Sequence, residues 1–357
     1  MRIVAALAAL SLLIGLAFGG RSTQDTGGAH ETPVVAPTVR CCDPAVVDQD
    51  DMAIWVHPTD GGQSVIIASD KKANRLFVYD LDGKVVHSVP AKHPGNIDVR
   101  YGFPLGGARV DIVALNQRDD PRVLVYTIDP ATRRLERVDN DAITTSENYG
   151  GTLYRSPKSG KFYFFTTSKM SDIEQYELVD DGAGKVAGKK VRSWRISKSE
   201  SAVADDEAGV VYFGEEERGI WRVGAEPDDP TPGELVIKRG ENGLDGDVEG
   251  LALYSLPGGD GYLIVSNQKD SNFKVYRRGG DHAFLGTFAI EGVKDTDGLE
   301  VCSAALGPRF PNGLFACHSD PAPCPVFLTP WERIATALKP PLKVDTSWKF
   351  RPEKTKN

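Results

Sequence analysis

Apolar runs of four to six residues, interrupted by Gly, Pro, Asn and Asp, follow one another along this chain from about Asp48 to Trp331, which predicts short antiparallel strands joined by tight turns. Residues 247–276 hold one complete unit. It has an acidic entry (Asp247, Glu249), an apolar run over 251–256, a Pro-Gly-Gly-Asp turn, a second run over 262–265, a polar corner over 267–272 and a third run closed by Tyr276. The unit recurs. Its closing aromatic returns as Tyr79, Tyr126, Tyr176 and Trp221, 45 to 55 residues apart, and its entry as Asp51, Asp98, Tyr149, Glu200, Glu249 and Asp297, 47 to 51 residues apart. Six such units predict an all-β fold, a six-bladed β-propeller in which radial closure lets each blade cover its neighbour's apolar face.

The ends read differently. Arg2 followed by an apolar run over 3–18 and the small-residue pattern Ala17-Phe18-Gly19 predicts a cleaved secretory signal peptide over 1–19 rather than an anchor, the run being at the short limit for crossing a bilayer. Residues 20–40 are rich in Gly, Thr and Pro and read as a flexible tether or an edge segment. The propeller is expected over 41–345, with one helix-like piece at its end (PWERIATAL, 330–338), and 346–357 as a basic tail that frays.

Composition narrows the partners. A net charge of -8 argues against nucleic acid, yet leaves room for an anionic small molecule held by a local cationic wall. No stretch after the signal is long enough to span a membrane. Five cysteines (Cys41, Cys42, Cys302, Cys317, Cys324) in an exported chain suggest one or two disulfides. Cys302 and Cys317 lie on strands expected to pair, so they are the first choice for a bridge. Zinc is disfavoured, because no two cysteines have ligand spacing and the six histidines are scattered.

In a propeller the first strand of each blade lines the central channel, so equivalent positions form rings. The entry ring Asp51, Asp98, Tyr149, Glu200, Glu249, Asp297 would place five carboxylates and a phenol face to face, a repulsion that calls for a cation. Oxygen-only ligands favour a hard ion, and calcium tolerates irregular shells better than magnesium does. Asp50, Asp247 and Asp295 stand close enough in sequence to add ligands. A second ring comes from the polar corners: Lys71, Arg118, Lys169, Glu216, Gln268 and His318. Its cations fall in blades one to three and the acids concentrate in blades four to six, an arrangement suited to a phosphate-bearing polyanion. Taken singly, each acid at a strand start is as readily a turn former and each lysine a solvated corner charge.

The segments DDMAIWVHP (50–58), SDKKANRLFVYDLDGK (69–84), NIDVRYGFPL (96–105), YGGTLYRSPKSGKFYFF (149–165), TSKMSDIEQYEL (167–178), ADDEAGVVYFGEEERGIWRVGAEPD (204–228), DVEGLALY (247–254) and DTDGLEV (295–301) together resemble the β-propeller phytases. The resemblance implies a secreted or periplasmic, calcium-dependent enzyme that removes phosphate from myo-inositol hexakisphosphate (phytate); the chain is expected to be a monomer. It also implies residue roles. Lys71, Arg118, Tyr149 and Lys169 match phosphate-binding positions; Asp51, Glu200, Glu216, Asp247, Glu249 and Asp297 match positions that hold several calcium ions; Gln268 matches a polar neighbour. Asp50 and Asp98 complete the expected metal set. Three places depart from the pattern: Met52 stands where a proline is usual, the 291–294 loop is short, and ACHSDPAPCPVFL (316–328) replaces a longer Asn- and Asp-rich loop. The last departure implies a structural calcium that is lost, or replaced by a disulfide of Cys317 or Cys324.

The expected chemistry is direct attack of a calcium-bridged water on a phosphorus held by Lys71, Arg118 and Lys169, with no protein nucleophile. A calcium-dependent propeller lactonase is one alternative, although it gives no reason for three cations on one wall. A non-catalytic binding propeller is the other.

Overall fold

The computed structural model describes residues 32–351 apart from 171, 231 and 232. The signal peptide reading over 1–19 lies outside the described residues. Twenty-four of the described strands assemble into six sheets of four strands, and a further short strand edges one of them. The innermost strands are Gln49–Trp55, Pro94–Leu105, Gly151–Arg155, Ser199–Asp205, Leu251–Ser255 and Leu299–Cys302, one per blade in chain order. This is a six-bladed β-propeller, as the fifty-residue period predicts.

Strict alternation of side chains decides how the blades stack. In blade 1, Trp55, Ile67, Leu76 and Val78 pack against Ile97, Val113, Leu115 and Tyr126 of blade 2. The intervening residues Met52, Ile54, Ile66 and Tyr79 turn the other way, onto Cys302, Leu314, Ala316 and Val326 of blade 6. Both faces are apolar because both are covered.

The ring is closed by residues 32–41, which the sequence left as a tether or an edge segment. Val39–Cys41 is the outermost strand of blade 6, antiparallel to Val326–Pro330, and Val34–Val35 lies parallel to Phe284–Ile290 at the rim of blade 5. A strand from one end of the chain thus completes a sheet built from the other. Helix Trp331–Ala337 follows blade 6 where the sequence expects it, with Trp331 stacked on Tyr254 at 4.4 Å.

Two expectations fail. The hairpin joining Leu299–Cys302 to Leu314–His318 forms, but its register sets Cys302 opposite Leu314 and Cys317 opposite Leu299. Three residues of offset put the two thiols roughly 10 Å apart along the strands and on opposite faces of the sheet. Cys302 accordingly packs between blades 6 and 1 and Cys317 between blades 5 and 6, and all five cysteines are free. The tail does not fray at 346–351 either. Trp348 and Phe350 line the far end of the channel, and Arg351 donates to Asp111 and to the Val56 carbonyl at 2.6 Å each while lying over the Tyr101 ring.

Candidate functional site

Each inner strand begins at the propeller mouth, and each second strand ends there in a corner. The corner amides of Lys71, Arg118, Glu216 and Gln268 donate to the carbonyls of Asp48, His93, Lys198 and Asp247, which stand just ahead of the inner strands of the same blades. That repeated bond sets the two polar rings side by side. Glycines after the ring residues let the blades close in. A Cβ on Gly150, Gly250 or Gly298 would meet the carbonyl oxygen of Glu200, Asp297 or Asp50 at 2.1, 2.4 or 2.7 Å.

Asp50 is the hub of the cationic side. One oxygen takes the Lys71 ammonium at 2.7 Å and the other takes Arg118 at 2.9 Å. Burial opposes its ionisation, but Arg118 and Lys71 outweigh burial and hold the carboxyl below its usual range. The same Arg118 nitrogen also binds Glu200, and its Nε donates to the Tyr149 carbonyl at 2.9 Å. The guanidinium lies over the Tyr149 ring at 4.9 Å, and the Lys169 ammonium lies over that ring at 4.3 Å. Four residues predicted from sequence to hold phosphate therefore meet at one wall.

The acidic side is Glu200, Glu216 and Glu249, all buried, each with a carboxylate oxygen within 4.8 Å of the others. Among the described residues Oε1 of Glu216 is buried without a hydrogen-bond partner, while its other oxygen meets Lys198. Burial, followed by the neighbouring Glu200, pushes the Glu249 carboxyl well up. Asp297 is raised to about 7 by burial and then by Asp50; it accepts from Gln268 at 2.5 Å and lies 4.0 Å from Lys71. Buried carboxylates this close, one with an orphaned oxygen, fit a hard oxygen-seeking cation. Asp247 sits at the rim, 3.6 Å from Arg239.

Blades 1 and 2 depart from the predicted ring. Asp51 turns away from the mouth and accepts from the Ile97 amide at 3.0 Å. Asp98 lies deeper in the channel, where its oxygens take Arg100, the Val99 and Leu153 amides and the Thr152 hydroxyl. Asp50 occupies the ring position in blade 1, and in blade 2 Asn96 stands against Gly150. Asp51 and Asp98 tie blade to blade instead. At the sixth corner His318 is fully buried, its Nδ1 3.3 Å from the Asp297 amide nitrogen.

Lys198, Arg239 and Asp48 were not legible as site residues. Lys198 pairs with Glu216 and approaches the Tyr149 ring at 6.0 Å; Arg239 donates to the Glu216 carbonyl at 2.8 Å; Asp48 lies 3.6 Å from Lys71. Lys198 precedes the ring member Glu200 by two residues, and Asp48 stands two before Asp50, the residue that the structure puts in the ring.

Known proteins are similar to this chain. A family model described as Phytase matches residues 2–356. The 3-phytase of Bacillus subtilis (strain 168) is 39% identical over 326 residues, 87% of this chain and 85% of that protein. Among solved structures, Sqt1 of Saccharomyces cerevisiae is 10% identical, covering 84% of this chain and 99% of that one with a TM-score of 0.47.

Proposed function

The chain belongs to the phytase family, and from that premise we propose that it is a phosphoric monoester hydrolase of the 3-phytase type that releases phosphate from phytate with calcium held at the propeller mouth. The observation that carries this reading is the facing arrangement itself. A wall of Lys71, Arg118 and Lys169 around Tyr149 stands next to three buried glutamates whose carboxylate oxygens lie within 4.8 Å of one another, more negative charge in one place than Arg118 and Lys198 offset.

On this reading the phosphate oxygens lie against Lys71, Arg118 and Lys169, whose donors are not exhausted by Asp50 and Glu200. Asp50 fixes the two inner cations at 2.7 and 2.9 Å, so little reorganisation is needed when charge builds on the transferring group. Tyr149 is the platform that sets the height of Arg118 and Lys169. Its own phenol stays protonated, raised by burial and then by Glu200. Glu200, Glu216, Glu249, Asp297 and Asp50 would hold calcium, with Asp247 at the rim, and Gln268 orients Asp297. Bound calcium would neutralise charge on the phosphoryl group and make water more acidic. Export of a monomer through the 1–19 signal peptide would place the enzyme outside the cytoplasm, where calcium is available.

Phosphate release from phytate by the purified protein, with calcium, with magnesium and with chelator, tests the proposal. Release with calcium and none with chelator is expected. Release unaffected by chelator removes calcium from the reading, and no release under any condition leaves a binding propeller.

A further inference from the structure

Histidine and cysteine are too scattered in this sequence to suggest a transition-metal site, yet the blade 6 corner gathers three different donors. A ring nitrogen of His318, a carboxylate oxygen of Asp320 and the Cys324 sulfur all lie within 4.8 Å of one another. We propose that His318, Asp320 and Cys324 form a separate site for a borderline divalent transition ion of the zinc class.

The two sides of the imidazole are in different environments. Nδ1 accepts from the Asp297 amide at 3.3 Å and lies 3.6 Å from the Asp297 carboxylate, whereas Nε2 is buried with no hydrogen-bond partner among the described residues. An ion at Nε2 needs the ring proton on Nδ1, and the Asp297 carboxylate beside that nitrogen is the group that would take its hydrogen bond in place of the amide. Backbone bonds fix the loop: the His318 amide to Gly298, the Asp320 amide to Lys294, the Cys324 amide to Pro321. Gln49 holds the Cys324 carbonyl at 2.8 Å, so the thiol is presented from a pinned backbone. That thiol now meets the Asp320 carbonyl at 2.8 Å. His318 and Cys324 are buried and Asp320 is exposed, which leaves a solvent side for entry and for a fourth ligand.

Donor chemistry selects the ion. A thiolate and an imidazole are poor partners for calcium, which takes oxygen, and suit zinc and its neighbours. Ligands around one tetrahedral ion at bond lengths of roughly 2.0 to 2.3 Å stand closer together than 4.8 Å. Rotation of the exposed Asp320 side chain, with the thiol released from the carbonyl, supplies the contraction. The site is distinct from the glutamate cluster and does not depend on the phosphatase reading. His318 is also the blade 6 corner of the mouth, beside Asp297 and within electrostatic reach of Asp50 and Lys71.

The test uses the exported protein with the metal alone. Cobalt(II) added in saturating calcium should give one equivalent of thiolate-to-metal charge-transfer absorption, reversed by zinc. Cys324→Ser, a near-isosteric change, should abolish the band, and Asp320→Asn, at an exposed position that does not threaten folding, should weaken binding by roughly tenfold or more. Zinc should protect Cys324, identified by peptide mapping, from alkylation. A band unchanged in Cys324→Ser, equal alkylation with and without zinc, or recovery of Cys324 in a disulfide would each overturn the proposal.

Discussion

Removing Arg118 separates charge balance from substrate binding. Its guanidinium is 15% exposed and lies between Asp50 and Glu200, whose side chains are 4% and 8% exposed. Breaking a buried ion pair by deleting one partner costs about 3–5 kcal/mol, most of it from the charge left behind. Lys71 still holds Asp50 in Arg118→Ala, so the lower end, about 3 kcal/mol, is expected in chelator. At roughly 2 °C per kcal/mol for a protein of this size, the melting temperature should fall by about 6 °C. Calcium should recover part of that loss by replacing positive charge. Activity should not recover, because calcium cannot take the place of a donor held 2.9 Å from the Tyr149 carbonyl. Loss of a close charged contact to the transferring group is worth about 2–4 kcal/mol, roughly thirtyfold to a thousandfold in kcat/KM. Arg118→Lys keeps the charge but cannot reach both carboxylates and the carbonyl together, so it should restore stability more than rate. The assays are thermal unfolding with calcium and with chelator, and initial rates of phosphate release. A variant that melts within about 1 °C of the parent in chelator and works within about twofold of its rate would refute the reasoning.

Calcium at a hundredfold excess over Kd should stabilise the fold by about 2.7 kcal/mol and magnesium by clearly less; equal melting temperatures in calcium and chelator would contradict the ion site. Lys169→Ala should lower phytate turnover while leaving calcium-dependent stabilisation intact, whereas Glu216→Ala should weaken calcium binding, with activity partly regained at higher calcium; titration calorimetry beside rate measurements distinguishes them. Glu300, on the inner strand of blade 6, is raised to about 8, by burial first and then by Asp98. The folded state therefore keeps a proton that the unfolded chain releases from about pH 4.3, so this group lowers stability as pH climbs from there to about 8 and adds no further change above. Glu300→Gln removes that slope. Allowing for channel hydration, the variant should gain about 2 kcal/mol on the parent between pH 5 and 8, and parallel denaturant midpoints across that range would refute it.

The sequence by itself determined the number of blades. Every blade must present one apolar face to each neighbour, so the same alternation repeats, with a large aromatic closing the third run in five of the six, and that period is written in residue order. It also determined most of the mouth, because Lys71, Arg118, Glu216 and Gln268 directly follow second strands, with Lys169 two residues later in its corner. Where the phase slips, sequence cannot say which residue faces in. The pairing register shifts between Gln49 and Met52 and between Pro94 and Ile97, and these irregularities turn Asp50 toward the mouth and send Asp51 and Asp98 into the channel. Only the tertiary structure decided contacts made across long loops of chain. Val39–Cys41 closing blade 6 and Arg351 reaching Asp111 depend on where the ring brings distant segments, which no local pattern encodes. The same holds for the cysteines. A three-residue offset in one hairpin keeps Cys302 from Cys317, and the fold of the following loop delivers Cys324 to His318 and Asp320 instead.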